Sequence, residues 1–277
     1  MAWRIGSLPA SAELAASQRE LESILVYQSI GYSGPDGVVV RGEDLTDLIG
    51  EVGFGDLVFF GALARRPDEA ESRIFNAVLV SLAEYGLSAS AIATRLTLRG
   101  APGAVQGAIA AGILGVGDRF VGAVEESAQL LQSLVGSSLE GETLGGAIDD
   151  FLVSIMQDKG ARIPGLGHPE FKKEDPRSRK LAIVARSSGR ECVHLDALEM
   201  VRERFAQTGG RLLPLNVDGT VGALLSDLGF PWRGCRGVAV VARAGGLLGH
   251  VVEEFRQEAS GTILRASQEA VPYRRAT

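Results

Sequence analysis

Histidine and cysteine are scarce in this chain of 277 residues, at three and two. With so few imidazoles, acid–base chemistry by histidine has to rest on His168, His194 or His250. Cys192 and Cys235 lie far apart and form no ligand-spaced pair, so neither a disulfide framework nor a cysteine metal site is expected. Two buried thiols in a reducing compartment are expected instead. Basic residues form no dense stripe and the net charge is -6, which removes the electrostatic footing that nucleic-acid binding needs. No apolar stretch reads as a membrane span, which takes about 20 residues. Ala104 to Val116 is too short, and Gly237 to Val252 carries Arg243 and His250. The start, Met-Ala-Trp-Arg-Ile-Gly-Ser-Leu-Pro, lacks the apolar core of a secretory signal. The expectation is a cytoplasmic protein without a nucleic-acid or membrane partner and without a metal.

Glycine, by contrast, is abundant at 36 residues, many of them inside alanine- and leucine-rich stretches. That placement predicts helices packed at close range and glycine-dense turns along a ligand site. Apolar residues recur at helical spacing along most of the chain, as in Ile74, Phe75, Val78, Leu79 and Leu82. Helices are expected over Ala12–Ser29, Glu43–Ile49, Asp56–Leu63, from Pro67 through Leu82, Ser88–Leu98, Ala104–Gly112, Val121–Val135, Thr143–Gln157, Asp175–Ala185, Cys192–Gln207, Asn216–Leu228 and Leu248–Glu258. Val38-Val39-Val40 is the one brief strand expected, and the fold class is all-α. A minor alternative comes from Val238–Gly249, where a β-branched run followed by glycines outlines a dinucleotide-binding turn. Its glycine spacing fails that fingerprint, and no alternation of strands and helices surrounds it.

The most informative segment is Ile163-Pro164-Gly165-Leu166-Gly167-His168, followed by Asp175-Pro176-Arg177. It sets a titratable ring at the end of a rigid turn beside a fixed cation, a combination suited to carboxylate and carbonyl groups. Three further segments belong with it: Asn216-Val217-Asp218, Arg243-Ala244-Gly245-Gly246-Leu247-Leu248-Gly249-His250 and Ile263-Leu264-Arg265. On its own His168 reads as a turn histidine bonded to backbone, and Asp218 as the N-cap of the next helix. His250 reads as structural and His194 as a surface or core residue.

Together these segments resemble the citrate synthase superfamily, and within it the citryl-CoA lyase type that includes the citryl-CoA-cleaving module of ATP-citrate lyase. The resemblance runs from about Val38 to the end. It implies a citrate-synthase-like, all-helical homodimer whose large subdomain (1–120 plus 232–277) and small subdomain (121–231) close over a cleft. The implied activity is retro-Claisen cleavage of citryl-CoA to acetyl-CoA and oxaloacetate. The implied catalytic residues are His168, which takes the tertiary hydroxyl proton in cleavage and returns it in condensation, and Asp218, which protonates the enolate methylene carbon. Arg177, Arg243 and Arg265 match the substrate-carboxylate arginines, the last reaching in from the neighbouring subunit. Ile163, Pro164, Gly165, Leu166 and Gly167 would present backbone groups to the adenine of coenzyme A, with Lys172 and Lys173 near its phosphates. Two positions depart from the pattern. Ala83-Glu84-Tyr85 stands where synthases and ATP-citrate lyase carry Ala-Asp-His, so Tyr85 would meet the oxaloacetate carbonyl in place of a histidine. Phe120, in Gly117-Asp118-Arg119-Phe120-Val121-Gly122-Ala123, stands where synthases place the histidine that stabilises the thioester enol. Phe120 favours lyase over synthase, and Tyr85 keeps open condensation of acetyl-CoA with oxaloacetate or another 2-oxo acid. A non-catalytic CoA-binding relative is the third reading.

Overall fold

The computed structural model describes residues 28–157, 162–209 and 211–275, apart from the side chains of Arg119 and Phe120. The expected helix Ala12–Ser29 lies outside these residues except for its last two positions. By contact the chain divides after Gly53. The first unit is a small antiparallel meander, β1 (Gly31–Gly34), β2 (Gly37–Val40) and β3 (Glu43–Asp44), followed by the single turn α1 (Leu45–Leu48). The Val38–Val40 strand is therefore present, and the glycine-rich break before it is its hairpin partner, with Gly34 opposite Gly37 across a two-residue turn. Asp44 caps α1 by accepting from the Thr46 N–H at 2.8 Å.

The second unit is helical: α2 (Phe54–Leu63), α3 (Glu69–Ala83), α4 (Ala89–Gly100), α5 (Val105–Leu114), α6 (Ala123–Leu139), α7 (Leu144–Met156), α8 (Pro176–Arg186), α9 (Val193–Gln207), α10 (Val217–Asp227), α11 (Trp232–Gln257) and α12 (Ala259–Ala270). A π-helical turn, Asp118–Gly122, leads into α6. The helix starts follow from local chemistry. Asp68 and Glu71 form a reciprocal capping box at α3, and Thr143 caps α7 through the Gly146 N–H.

Core packing explains which helices lie innermost. In α10 every residue from Val217 to Ser226 except Asp218 is buried, as an all-round apolar and small-residue sequence requires. A glycine makes its close approach to α6 feasible, because a Cβ on Gly222 would stand 2.8 Å from the Val124 carbonyl oxygen. Phe59, Phe75 and Phe230 pack as a trio, with centroids 5.4–5.6 Å apart.

Two sequence expectations are corrected by α11 and α12. The Val238–Gly249 run is no strand and turn. It is the middle of α11, a 26-residue helix that begins at Trp232 and not at Leu248. The second helix, α12, carries Arg265 and was not expected. Among the described residues α11 alone is long and apolar enough, by length and composition, to cross a membrane. In this fold it is an internal strut against α3, α4, α5 and α6, with Arg243, His250 and Glu254 buried along it.

Candidate active site

Two motif segments that are 48 residues or more apart in sequence are joined by backbone. The loop 163–168 runs alongside 214–216: the Gly167 N–H donates to the Pro214 carbonyl (2.8 Å), and the Asn216 N–H to the Gly165 carbonyl (3.0 Å). Leu166 and Leu215 form an antiparallel bridge between them. The Asn216 side chain completes the join, donating to the Gly167 carbonyl (2.9 Å) and accepting from the Gly219 N–H (2.9 Å). Asn216, not Asp218, is thus the N-cap of α10. Glycine is required here twice over. Gly165 sits at φ +86, and a Cβ on Gly219 would come within 2.4 Å of the Gly165 Cα.

A third segment locks onto this junction. Asp175, fully buried, accepts from the Arg177 N–H (3.0 Å) to cap α8 and from the Val217 N–H (3.0 Å) at the start of α10. It also takes the Arg177 guanidinium through Nε and Nη2, at 3.1 and 3.0 Å. Burial alone would raise its pKa, but Arg177 and the two backbone donors together hold it below the ordinary carboxylate value. Arg177 in turn lies over the Tyr85 ring at 4.8 Å.

These residues line a cavity of about 920 Å³ that includes His168, Asp218, Arg177, Tyr85, Arg243 and the whole of Ile163–Gly167. His168 Nδ1 accepts from the backbone N–H groups of Glu170 and Phe171, both at 3.1 Å. Those donors assign the ring's tautomer: the neutral imidazole carries its hydrogen on Nε2. Desolvation lowers its pKa further, against the pull of Asp175. His168 therefore meets the cavity as a neutral donor. With Nδ1 occupied by two backbone N–H groups, Nε2 is the ring atom left for a ligand oxygen, in the donor role expected of it in condensation.

Asp218 is the second residue of α10 and the one whose side chain looks outward into the cavity. The residue is partly exposed and lines the cavity. Desolvation raises its pKa to about 6, against the lowering effect of Arg177. A carboxyl group poised there can hold a proton or release it near neutral pH.

A second part of the lining is built from side chains. Arg243 is buried on α11 and donates through Nε to Ser90 Oγ (2.9 Å), through Nη2 to Ser88 Oγ (2.6 Å) and through Nη1 to the Ala83 carbonyl (3.0 Å). Glu84 stands 3.4 Å from the same guanidinium. Tyr85 is half-exposed, and its hydroxyl donates to Glu170 (2.8 Å). Arg265 is exposed on α12 and lines no part of this cavity. Phe120 belongs to the π-helical turn beside it. Lys172 donates to the His168 carbonyl (3.3 Å), while Lys173 borders a second cavity of about 400 Å³. His194 is bonded to Asp227 at 2.8 Å, away from the site.

The model of the citrate synthase C-terminal domain matches residues 49–267. The chain belongs to the citrate synthase family. Among solved structures it is similar to citryl-CoA lyase from Hydrogenobacter thermophilus, with 30% identity, a TM-score of 0.80, and coverage of 91% of this chain and 96% of that one. ATP citrate lyase from Methanothrix soehngenii, solved with citrate and coenzyme A, shares the fold at 21% identity and a TM-score of 0.74, over 100% of this chain and 46% of that one. Among curated proteins, a probable ATP-citrate synthase of Dictyostelium discoideum is 26% identical over 226 residues, 74% of this chain and 34% of its own length. The chain spans about a third of the length of that relative and of the plant ATP-citrate synthase beta chains it also matches.

Within this citrate synthase fold, four contributors to the site were not singled out by sequence. Asp175 was quoted only as part of a motif, yet it ties Arg177 to two helix starts. Ser88 and Ser90 hold Arg243, and Glu170 holds Tyr85. Only Asp175 left a signal, the Asp-Pro pair that marks a capped helix start. Among the described residues no group of three or more His, Cys, Asp or Glu side chains is disposed to hold a metal ion.

Proposed function

We propose that this chain cleaves citryl-CoA to acetyl-CoA and oxaloacetate. The observation that carries the reading is the backbone junction that brings His168 and Asp218 to one cavity, with the Asp218 pKa raised to about 6. In cleavage the bond between the tertiary carbinol carbon and the thioester methylene breaks. The hydroxyl oxygen becomes the oxaloacetate carbonyl, its proton passing to solvent, and the bonding pair leaves on the acetyl-CoA enolate. His168 stabilises the charge on that oxygen by donating from Nε2. Protonated Asp218 delivers its proton to the enolate carbon and regains one from solvent. Condensation runs the same path backwards, with ionised Asp218 as base.

Arg177 and Arg243 are the cavity's two carboxylate-binding candidates, the first held by Asp175 through Nε and Nη2. Ile163–Gly167 is the candidate site for the CoA adenine. Arg265 is exposed and lines no part of its own cavity, which fits a contribution to a second copy in a homodimer. In the same reading, 121–231 moves as a small subdomain against the other helices over substrate. The two widely separated cysteines suit the cytoplasm.

The test is turnover. Supplied with citryl-CoA, the protein is expected to release oxaloacetate, followed through a coupled dehydrogenase. An absence of oxaloacetate, or a His168→Ala variant as fast as wild type, rejects the reading. The second reading, condensation with another 2-oxo acid, is favoured by one observation: Tyr85 is tied to Glu170 in place of the expected histidine. Release of free thiol from acetyl-CoA with a panel of 2-oxo acids decides between them.

A further inference from the structure

A chain of polar and charged groups, buried at Arg243, His250, Arg95 and Glu254, starts at the Arg243 wall and ends on α12. His250 Nδ1 accepts from Arg95 Nε at 3.0 Å, which leaves the hydrogen of a neutral ring on Nε2. Nε2 lies 3.1 Å from Glu84 Oε2 and 3.2 Å from Oε1, so it donates to Glu84. Glu84 Oε1 also accepts from the Tyr85 N–H (2.9 Å), and its Oε2 faces Arg243 Nη1. At the other end Arg95, itself 2% exposed, pairs with Glu254 (2.8 Å) and with Glu253. Glu254 accepts from the Ser260 N–H at 2.9 Å, which fixes the start of α12. A steric fit accompanies the ionic one: α11 can lie against the end of α3 because residue 246 is glycine, where a Cβ would stand 1.8 Å from the Ala83 carbonyl oxygen.

We propose that His250 is a positioning residue: with Arg95 and Glu84 it sets Arg243 and Tyr85 on the cavity wall and ties them to the start of the helix that bears Arg265. The inference rests on the proposed function for its substrate, a citrate-like polycarboxylate, but not for its geometry. A neutral imidazole is the useful spacer here. It accepts from one cation and donates to one anion, so Arg95 and Glu84 are bridged without a further buried charge. Removing it leaves Arg95 Nε without an acceptor and frees Glu84 to pair fully with Arg243, drawing the guanidinium away from a ligand carboxylate.

The experiment compares His250→Leu with His250→Gln. Glutamine can accept from Arg95 through its carbonyl and donate to Glu84 through its amide, whereas leucine can do neither. His250→Leu is expected to raise KM for citryl-CoA and Kd for citrate, the latter by calorimetry, about tenfold each, with kcat within about threefold of wild type. His250→Gln is expected to restore both to within about threefold. Equal impairment by the two variants, or a loss confined to kcat, overturns the proposal. Amide exchange gives a readout independent of turnover. Residues 84–90 and 259–261 should exchange faster in His250→Leu and not in His250→Gln, and an unchanged pattern overturns the proposal even if citryl-CoA proves not to be the substrate. Wild type failing to turn over citryl-CoA while the exchange pattern holds sinks the lyase reading alone. Should His250→Leu not fold, His250→Ala, which also removes both bonds of the ring, is expected to raise KM and Kd about fivefold with kcat retained, and unchanged values overturn the proposal.

Discussion

The two walls of the cavity are built on different principles. The His168–Asp218 wall is backbone against backbone, with Gly165 pressed on Gly219 and carbonyls of one segment bonded to N–H groups of the other. The Arg243 wall is side chain against side chain, an ionic frame whose members are long and adjustable. Backbone contacts leave no slack, because no rotamer change can relieve an added atom. Ionic frames can rearrange, and they lose function by degrees. The acid–base pair stands on the stiff wall, and Arg243 stands on the adjustable one.

The largest effect should come from the stiff wall's chemistry. Asp218→Asn is expected to lower kcat for cleavage about 10²- to 10⁴-fold in a steady-state assay, since the amide cannot deliver a proton. The same variant should be the more stable protein at pH 7.5. A carboxyl whose folded pKa of about 6 exceeds its ordinary value binds its proton more tightly in the native state, so it costs stability once pH rises through that window. The gain from asparagine should be about 1–2 kcal/mol at pH 7.5, after discounting for solvent in the cavity, and near zero at pH 4, by chemical denaturation. Higher activity with lower stability in the variant would mean that the carboxyl is not desolvated.

Next comes steric disruption of the same wall. Gly219→Ala forces a Cβ into the Gly165 backbone and should lose about 1–3 kcal/mol or more of stability, read as a lowered melting temperature, with activity lost in parallel. A milder probe is pH. kcat/KM for cleavage should fall as pH rises through about 6, because the acid form of Asp218 is consumed, and condensation should rise over the same window. Profiles that are flat there would remove Asp218 from the proton path. The smallest effect belongs to the adjustable wall: Tyr85→Phe keeps the ring under Arg177 and deletes one exposed donor, so KM should change about two- to tenfold and the melting temperature little.

The sequence carried the helices whose ends are chemically marked. Asp68, Thr143 and Asp175 cap helices at or next to the expected starts, and periodic apolar residues fill the interiors. Of α11 it carried only the last part, from Leu248. Val238–Val241 are β-branched or alanine and three glycines follow, which locally favour a strand and a turn. Tertiary contact overrides that preference, since Gly246 meets the end of α3 and Arg243 and His250 find partners only in the folded chain. The pair His168 and Asp218 was legible because each stands in a dense motif. Asn216 as the cap of α10, and the dependence of Arg243 on Ser88, Ser90 and Glu84, were not. Those bonds to Arg243 span more than 150 residues and leave no local pattern.

Asp175 has a consequence of its own. One inaccessible carboxylate fastens the first turns of two helices and a guanidinium, so the angle between those helices and the aim of Arg177 are a single variable. Its depressed pKa places its contribution above the ordinary carboxylate range and withdraws it as acid titrates the group. Acidification should therefore dismantle the pocket all at once, like a tripod losing the bolt its legs share.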